Sequence, residues 1–173
     1  IVTVDNGDKV SRMISNWDKK CLLWSLSGAE IFSTCSKAQY MAIVVDVNRR
    51  ILGSGYNGVP SGMTHCSDGG CPRVANNVPS GTPYDYGEGL CYAIHAEANA
   101  LLHSDRSARV GGTIYIGGAP CFGCAKLIAG SGLSKVVFVG NQASREDWDQ
   151  SISVLEHSGL TVEVVHMDDL FKE

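Results

Sequence analysis

Residues 91–99 read C-Y-A-I-H-A-E-A-N, a histidine and a glutamate set in an apolar, Ala-rich run that looks like a helix interior. Burying either side chain is costly unless something pairs with it. Further on, residues 119–124 read A-P-C-F-G-C. A C-x-x-C at the start of a helix, directly after a strand, can aim both sulfurs at one point, and the helix N-terminus favours their thiolate forms. Alone, that motif fits zinc, a redox pair or chance. A redox pair would want a thioredoxin-like setting, which a nearby His-x-Glu fits poorly. With His95 the set becomes three nitrogen and sulfur donors, one short of a closed tetrahedral site. Three protein ligands plus a water is the open arrangement of catalytic zinc. Any fold for this chain must therefore bring His95, Cys121 and Cys124 to one point. Glu97 then reads as a proton shuttle beside the metal, not a fourth ligand. Two residues apart on an ideal helix means side chains about 200° apart, so both reach one pocket only where the first turn is irregular.

The remaining sequence limits the fold class. The 173 residues, 44% of them hydrophobic and 18% charged, suffice for one domain with a sizeable core. Net charge is −4, so the chain lacks the basic footprint of a general nucleic-acid binder. Apolar runs such as V-V-F-V at 136–139 are strand-length and far short of a membrane span. The start at Ile1 shows no secretory pattern, which makes a cytoplasmic protein the expectation. Apolar spacing predicts helices at 16–32, 92–104, 121–130 and 144–158. Strands are expected at 41–47, 51–56, 113–117, 135–140 and 161–166, the first two forming a hairpin around N-R-R. Residues 57–90 are rich in Gly, Pro, Ser and Asn and too long for a passive connection. Alternating strands and helices argue for a single α/β domain over 1–173, with helices covering a partly parallel sheet.

H-x-E followed by P-C-x-x-C is the signature of zinc nucleobase deaminases. The chain resembles the cytidine deaminase superfamily, and within it the deoxycytidylate (dCMP) deaminases of phage and bacterial type. The resemblance extends through I-L-G-S-G-Y-N-G-V-P-S-G (51–62), H-C-S-D-G-G-C (65–71), I-H-A-E-A-N-A-L (94–101) and P-C-F-G-C-A-K-L-I (120–128), in the family's order. It implies a three-layer α/β/α fold around a central mixed five-stranded sheet. It also implies hydrolysis of dCMP to dUMP and ammonia, supplying thymidylate synthesis. Zinc on His95, Cys121 and Cys124 would make water nucleophilic at neutral pH for attack at C4 of cytosine. Glu97 would take the water's proton, deliver it to N3 and help the amine leave. Backbone groups near Ala96 would contact the base, Asn57 would line the nucleotide site, and Arg106 would meet the 5′-phosphate. Asn57 could equally be the turn residue of Asn-Gly, and Arg106 a solvated surface charge. Tyr84 and Tyr86 could flank the pocket or pin the loop.

The family resemblance further implies a homo-hexamer regulated by dCTP and dTTP. The effector site would lie near Gly55, Tyr56 and Gly58, with Mg²⁺ accompanying the triphosphate. Of the seven cysteines, Cys35, Cys66, Cys71 and Cys91 are left over by the catalytic set and Cys21 reads as core. Four thiolates would close a structural zinc site that orders the 57–90 insertion, with His65 as an alternative ligand. Departures from the family pattern are Y-M-A at 40–42, G-G-A at 117–119, Phe122-Gly123 inside the C-x-x-C, and Gln142. They leave open a modified deoxycytidylate, a nucleoside or a free base as substrate. A zinc-stabilised nucleotide-binding module without catalysis is the reading of another class, and Glu97 argues against it.

Overall fold

The computed structural model describes residues 2–5, 8–11, 14–87, 89–140 and 148–172. Gln142 and the first residues of the helix expected at 144–158 lie outside them. Two short strands, β1 (Val2–Asp5) and β2 (Asp8–Ser11), form an antiparallel hairpin. Helix α1 (Asn16–Phe32) follows, then β3 (Met41–Val45) and β4 (Ile51–Tyr56). The insertion holds a 3₁₀ turn at Cys66–Asp68 and the short α2 (Pro72–Ala75). After it come α3 (Ala96–Leu102), α4 (Arg106–Arg109), β5 (Thr113–Ile116), α5 (Phe122–Ala129) and β6 (Lys135–Gly140). The chain continues through α6 (Trp148–His157), β7 (Thr161–His166) and α7 (Met167–Phe171).

The sheet runs β2-β1-β7-β6-β5-β3-β4. β5, β6 and β7 are mutually parallel, and β3 pairs antiparallel with both β4 and β5. These five strands are the mixed sheet expected from the sequence; the β1–β2 hairpin, not foreseen, extends it beyond β7 to seven strands. Both faces are covered, which is why M-A-I-V-V is apolar throughout and does not alternate. Ala42 and Val44 join Ile114, Val136 and Phe138 beneath α3, α5 and α6, while Met41, Ile43 and Val45 join Tyr115, Val137 and Val139 beneath α1 and α7. The result is three layers, helices on each side of the sheet.

Two local devices set the frame. Helix α1 begins at Ser15, whose hydroxyl accepts from the Asp18 N–H at 3.1 Å and donates to the Asp18 carboxylate at 2.6 Å, satisfying an otherwise orphan amide. Asp18 also accepts from the Tyr115 hydroxyl at 2.6 Å and meets Lys135 at 3.5 Å; Lys135 meets Glu163 at 3.0 Å. That polar clasp ties α1 to β5, β6 and β7. On the other face, α3 lies directly on β4. A Cβ on Gly55 would stand 2.2 Å from the Ala100 nitrogen and 2.5 Å from the Ala96 oxygen, and one on Gly53 would stand 2.8 Å from the His103 oxygen. Gly55, expected near an effector site, thus has a steric reason of its own: the helix backbone occupies the place of its side chain.

Gly55→Ala should therefore lower unfolding free energy by about 1–3 kcal/mol. Gly130→Ala is the control, at αR angles with no contact nearer than 3.6 Å, and should be neutral or slightly stabilising. Urea titration of the two variants checks the difference.

Candidate active site

The helix expected at 92–104 starts at Ala96, because residues before it pair elsewhere. Ile94 and Gly58 exchange backbone hydrogen bonds of 2.9 and 3.2 Å in an isolated bridge. His95 is consequently the N-cap of α3, in extended conformation (φ −66°, ψ 151°), while Glu97 already lies in the first turn. The helical 200° separation does not apply across that boundary, and this is how both side chains serve one site. Cys121 is the N-cap of α5, its sulfur accepting from the Cys124 N–H at 3.5 Å.

Two helix starts thus converge. The His95 Nδ1 lies 3.4 Å from the Cys121 sulfur and 3.5 Å from that of Cys124, and all three donor atoms lie within 4.8 Å of one another. Ordinary Zn–S and Zn–N bonds at a tetrahedral angle would separate nitrogen from sulfur by about 3.6 Å, so these residues fit zinc with one position left open. Cys121 is held as a thiolate, far below the usual thiol range, by the hydrogen bond from Cys124, with His95 adding to it. Cys124 is pushed up by giving that hydrogen bond, by burial and by Glu97. The hydrogen bond to Cys121 raises His95 against the effect of its burial. Glu97 is buried, touches the Cys124 sulfur, and has its carboxyl pushed upward chiefly by desolvation. It is not among the three converging donors.

The pattern of the cytidine and deoxycytidylate deaminase zinc-binding region matches residues 15–140. The chain belongs to this family. A deoxycytidylate deaminase of Mycobacterium phage D29 is 42% identical over 71% of this chain and 94% of its own length. The Saccharomyces cerevisiae deoxycytidylate deaminase is 38% identical over 75% of this chain, which spans 39% of that longer protein. Among solved structures, the dCMP deaminase of cyanophage S-TIM5 in complex with dCMP and dUMP superposes with a TM-score of 0.65. It is 26% identical, over 89% of this chain and all of that one.

Other residues singled out in the sequence fall at varied distances from the three deaminase donors. Ala96 is fully buried at the first position of α3. Asn57 is buried, and its amide pins the segment before β3: Oδ1 accepts from Ser33 and from the Tyr40 N–H at 2.8 Å, and Nδ2 donates to the Ala38 oxygen at 2.7 Å. Arg106 is the first residue of α4. It is exposed on α4, beyond the far end of α3, about 10 Å of helix from His95. Tyr56 stacks on Phe32 at 6.0 Å, and Gly58 serves the bridge. Tyr84 packs edge-on against His95, whereas Tyr86 is exposed. Two departures from the family pattern belong together, since a Cβ on Gly118 would lie 2.4 Å from the Tyr40 ring. Arg73, buried in the insertion, escaped sequence reasoning because no periodic pattern marks a buried arginine inside a Gly/Pro-rich segment.

Burial of Glu97 gives a pH signature in the metal-free protein. Its folded carboxyl holds a proton to higher pH than the unfolded one, so stability is greatest below the unfolded value and is lost as pH rises toward the folded value. Glu97→Gln should raise the Tm of the metal-free protein at neutral pH and leave it nearly unchanged around pH 4. Thermal melts in chelator at both values check the sign.

Proposed function

We propose that this chain is a zinc-dependent hydrolase converting dCMP and water to dUMP and ammonia. The observation that carries the reading is the buried Glu97 carboxyl against Cys124, beside three converging donors. A purely structural zinc site has no use for it. The substrate assignment is supported by the phage D29 relative's name and by the nucleotides bound to the cyanophage enzyme.

Zinc held by His95, Cys121 and Cys124 supplies the Lewis acidity that makes water nucleophilic at neutral pH. Glu97 accepts that water's proton and passes it to ring N3 as C4 is attacked; it then takes the proton of the new C4 hydroxyl and gives it to the amine, which leaves as ammonia as the C4 carbonyl forms. A carboxyl whose proton affinity is raised by burial suits both roles. Backbone N–H groups in the first turn of α3, at Ala96, lack intrahelical acceptors, and we place the base's polar edge there. Asn57 shapes the nucleotide wall by holding the 33–40 segment. Arg106, exposed at the start of α4 just beyond α3, is the residue proposed to meet the 5′-phosphate.

The reading includes a second zinc on Cys35, Cys66, Cys71 and Cys91, with His65 as the alternative ligand. Supporting it, Cys66 hydrogen-bonds Cys71 and feels Cys35 and Cys91, and burial pushes its thiol up to about 11. The Ser67 N–H and the Thr34 oxygen, 3.0 Å apart, hold the two arms together. Among the described residues these four sulfurs do not converge as closely as His95, Cys121 and Cys124. His65 is exposed at the start of the 3₁₀ turn. A cytoplasmic homo-hexamer with dCTP and dTTP control, and Mg²⁺ at the effector, completes the reading on family resemblance; no described helix is long and apolar enough to cross a membrane.

Ammonia release and loss of cytosine absorbance, followed with dCMP, deoxycytidine and dCTP in parallel, should favour dCMP. Absence of turnover on all three would overturn the assignment. Glu97→Gln should keep its catalytic metal and lose at least about 100-fold in kcat. Metal analysis of the wild type should return about two zinc ions per chain, one per site; a value near one rejects the second site.

A further inference from the structure

We infer that Arg73 is a positioning residue for the catalytic metal, acting through Tyr84 on the His95 ring. This rests on the assignment of His95 as a metal ligand.

Arg73 lies in α2, two residues after Cys71, and is 4% exposed. Its guanidinium donates to the Pro83 oxygen at 2.8 Å, the Thr82 oxygen at 3.0 Å and the Gly89 oxygen at 3.3 Å. Those carbonyls lie on both sides of Tyr84, so one side chain ties down the backbone before and after it. The same guanidinium stands 4.8 Å from the centre of the Tyr84 ring. Tyr84 in turn meets His95 edge-to-face, with ring centres 5.5 Å apart and planes at 85°. An arginine over an aromatic face is attractive and directional, and perpendicular rings at this spacing are a favoured aromatic geometry.

A metal-binding imidazole needs its plane fixed, because the nitrogen lone pair points in the ring plane. The common device is a hydrogen bond at the second nitrogen, and loss of such support costs affinity or activity. Here Nδ1 faces the two sulfurs while the Tyr84 ring bears on the imidazole from outside the donor set. The Cys-rich insertion therefore reaches the catalytic ligands through a continuous contact chain: the carbonyls of Thr82, Pro83 and Gly89, then Arg73, Tyr84 and His95. If Arg73 merely stapled the loop, the metal would not sense its removal.

The test compares Tyr84→Ala, Tyr84→Phe, Arg73→Met and the double variant Arg73→Met/Tyr84→Ala. Cobalt(II)-substituted protein is measured without nucleotide, alongside zinc transfer to a chromogenic chelator. The phase missing from a Cys121→Ser control identifies the catalytic ion. Tyr84→Ala and Arg73→Met should each shift the cobalt bands in the same sense and speed zinc release about ten-fold. The double variant should do no more than either single one, and Tyr84→Phe should match wild type. With dCMP, kcat should fall with KM within about two-fold. Unchanged bands and release rates, additive effects, or a rise in KM alone would each overturn the inference. Should Arg73→Met not fold, Tyr84→Ala decides alone, since Tyr84 is 37% exposed. A wild type that turns over no cytosine compound would sink the function, not these metal readouts.

Discussion

Everything at the site depends on two helices starting at the same place. A nitrogen from the cap of α3 and two sulfurs from the start of α5 must meet within a few ångströms; α3 follows the insertion, and α5 follows β5. Convergence requires that α3 sit unusually close to the sheet. Gly53 and Gly55, alternate residues of β4, clear the strand surface so that the helix backbone fills the space. The Gly58–Ile94 bridge then stops the helix from starting early. Had α3 begun at Tyr92, His95 would have been an interior residue pointing away from Glu97. The bridge is thus as consequential for the chemistry as either ligand.

The electrostatics follow from that convergence. The hydrogen bond between the two sulfurs holds Cys121 low and pushes Cys124 up, with His95 and Glu97 close to the pair. Zinc, when bound by these donors, would require both sulfurs as thiolates. Glu97, outside the three converging donors, keeps its carboxyl for proton transfer. Burial raises that group's proton affinity, and the same burial keeps bulk water from competing for the transfer.

The sequence revealed what local chemistry controls. Helix α1 falls at 16–32 as its apolar spacing predicts, and the Ser15–Asp18 cap fixes where it starts. Five strands and the three donor residues were legible because burial on both faces leaves long apolar runs, and because metal ligands come in fixed types and spacings. What was hidden depends on distant partners. Nothing near Ile94 announces a bridge to Gly58, so α3 was read four residues too long at its start. The V-T-V-D and D-K-V-S strands carry too little pattern to be read as a hairpin. Arg73 was invisible for a related reason: three carbonyls, all nine or more residues further along, make its burial tolerable.

Helix α1 explains how so mobile a composition as the 57–90 insertion can border a site that needs sub-ångström order. Its first turn is locked by the Asp18, Tyr115, Lys135 and Glu163 clasp at one end of the parallel strands. Seventeen residues later its C-cap, Ser33, donates to the Asn57 backbone oxygen at 3.0 Å and to the Asn57 amide oxygen. Asn57 adjoins Gly58, which pairs with Ile94, which precedes His95. A rigid helix therefore carries positional information from a charged network on one side of the domain to the first metal ligand on the other. The insertion is suspended between that fixed frame and its own cysteines. Order at the site then has two independent sources, the core through Ser33 and Asn57, and the insertion through Arg73 and Tyr84, and His95 is where they meet.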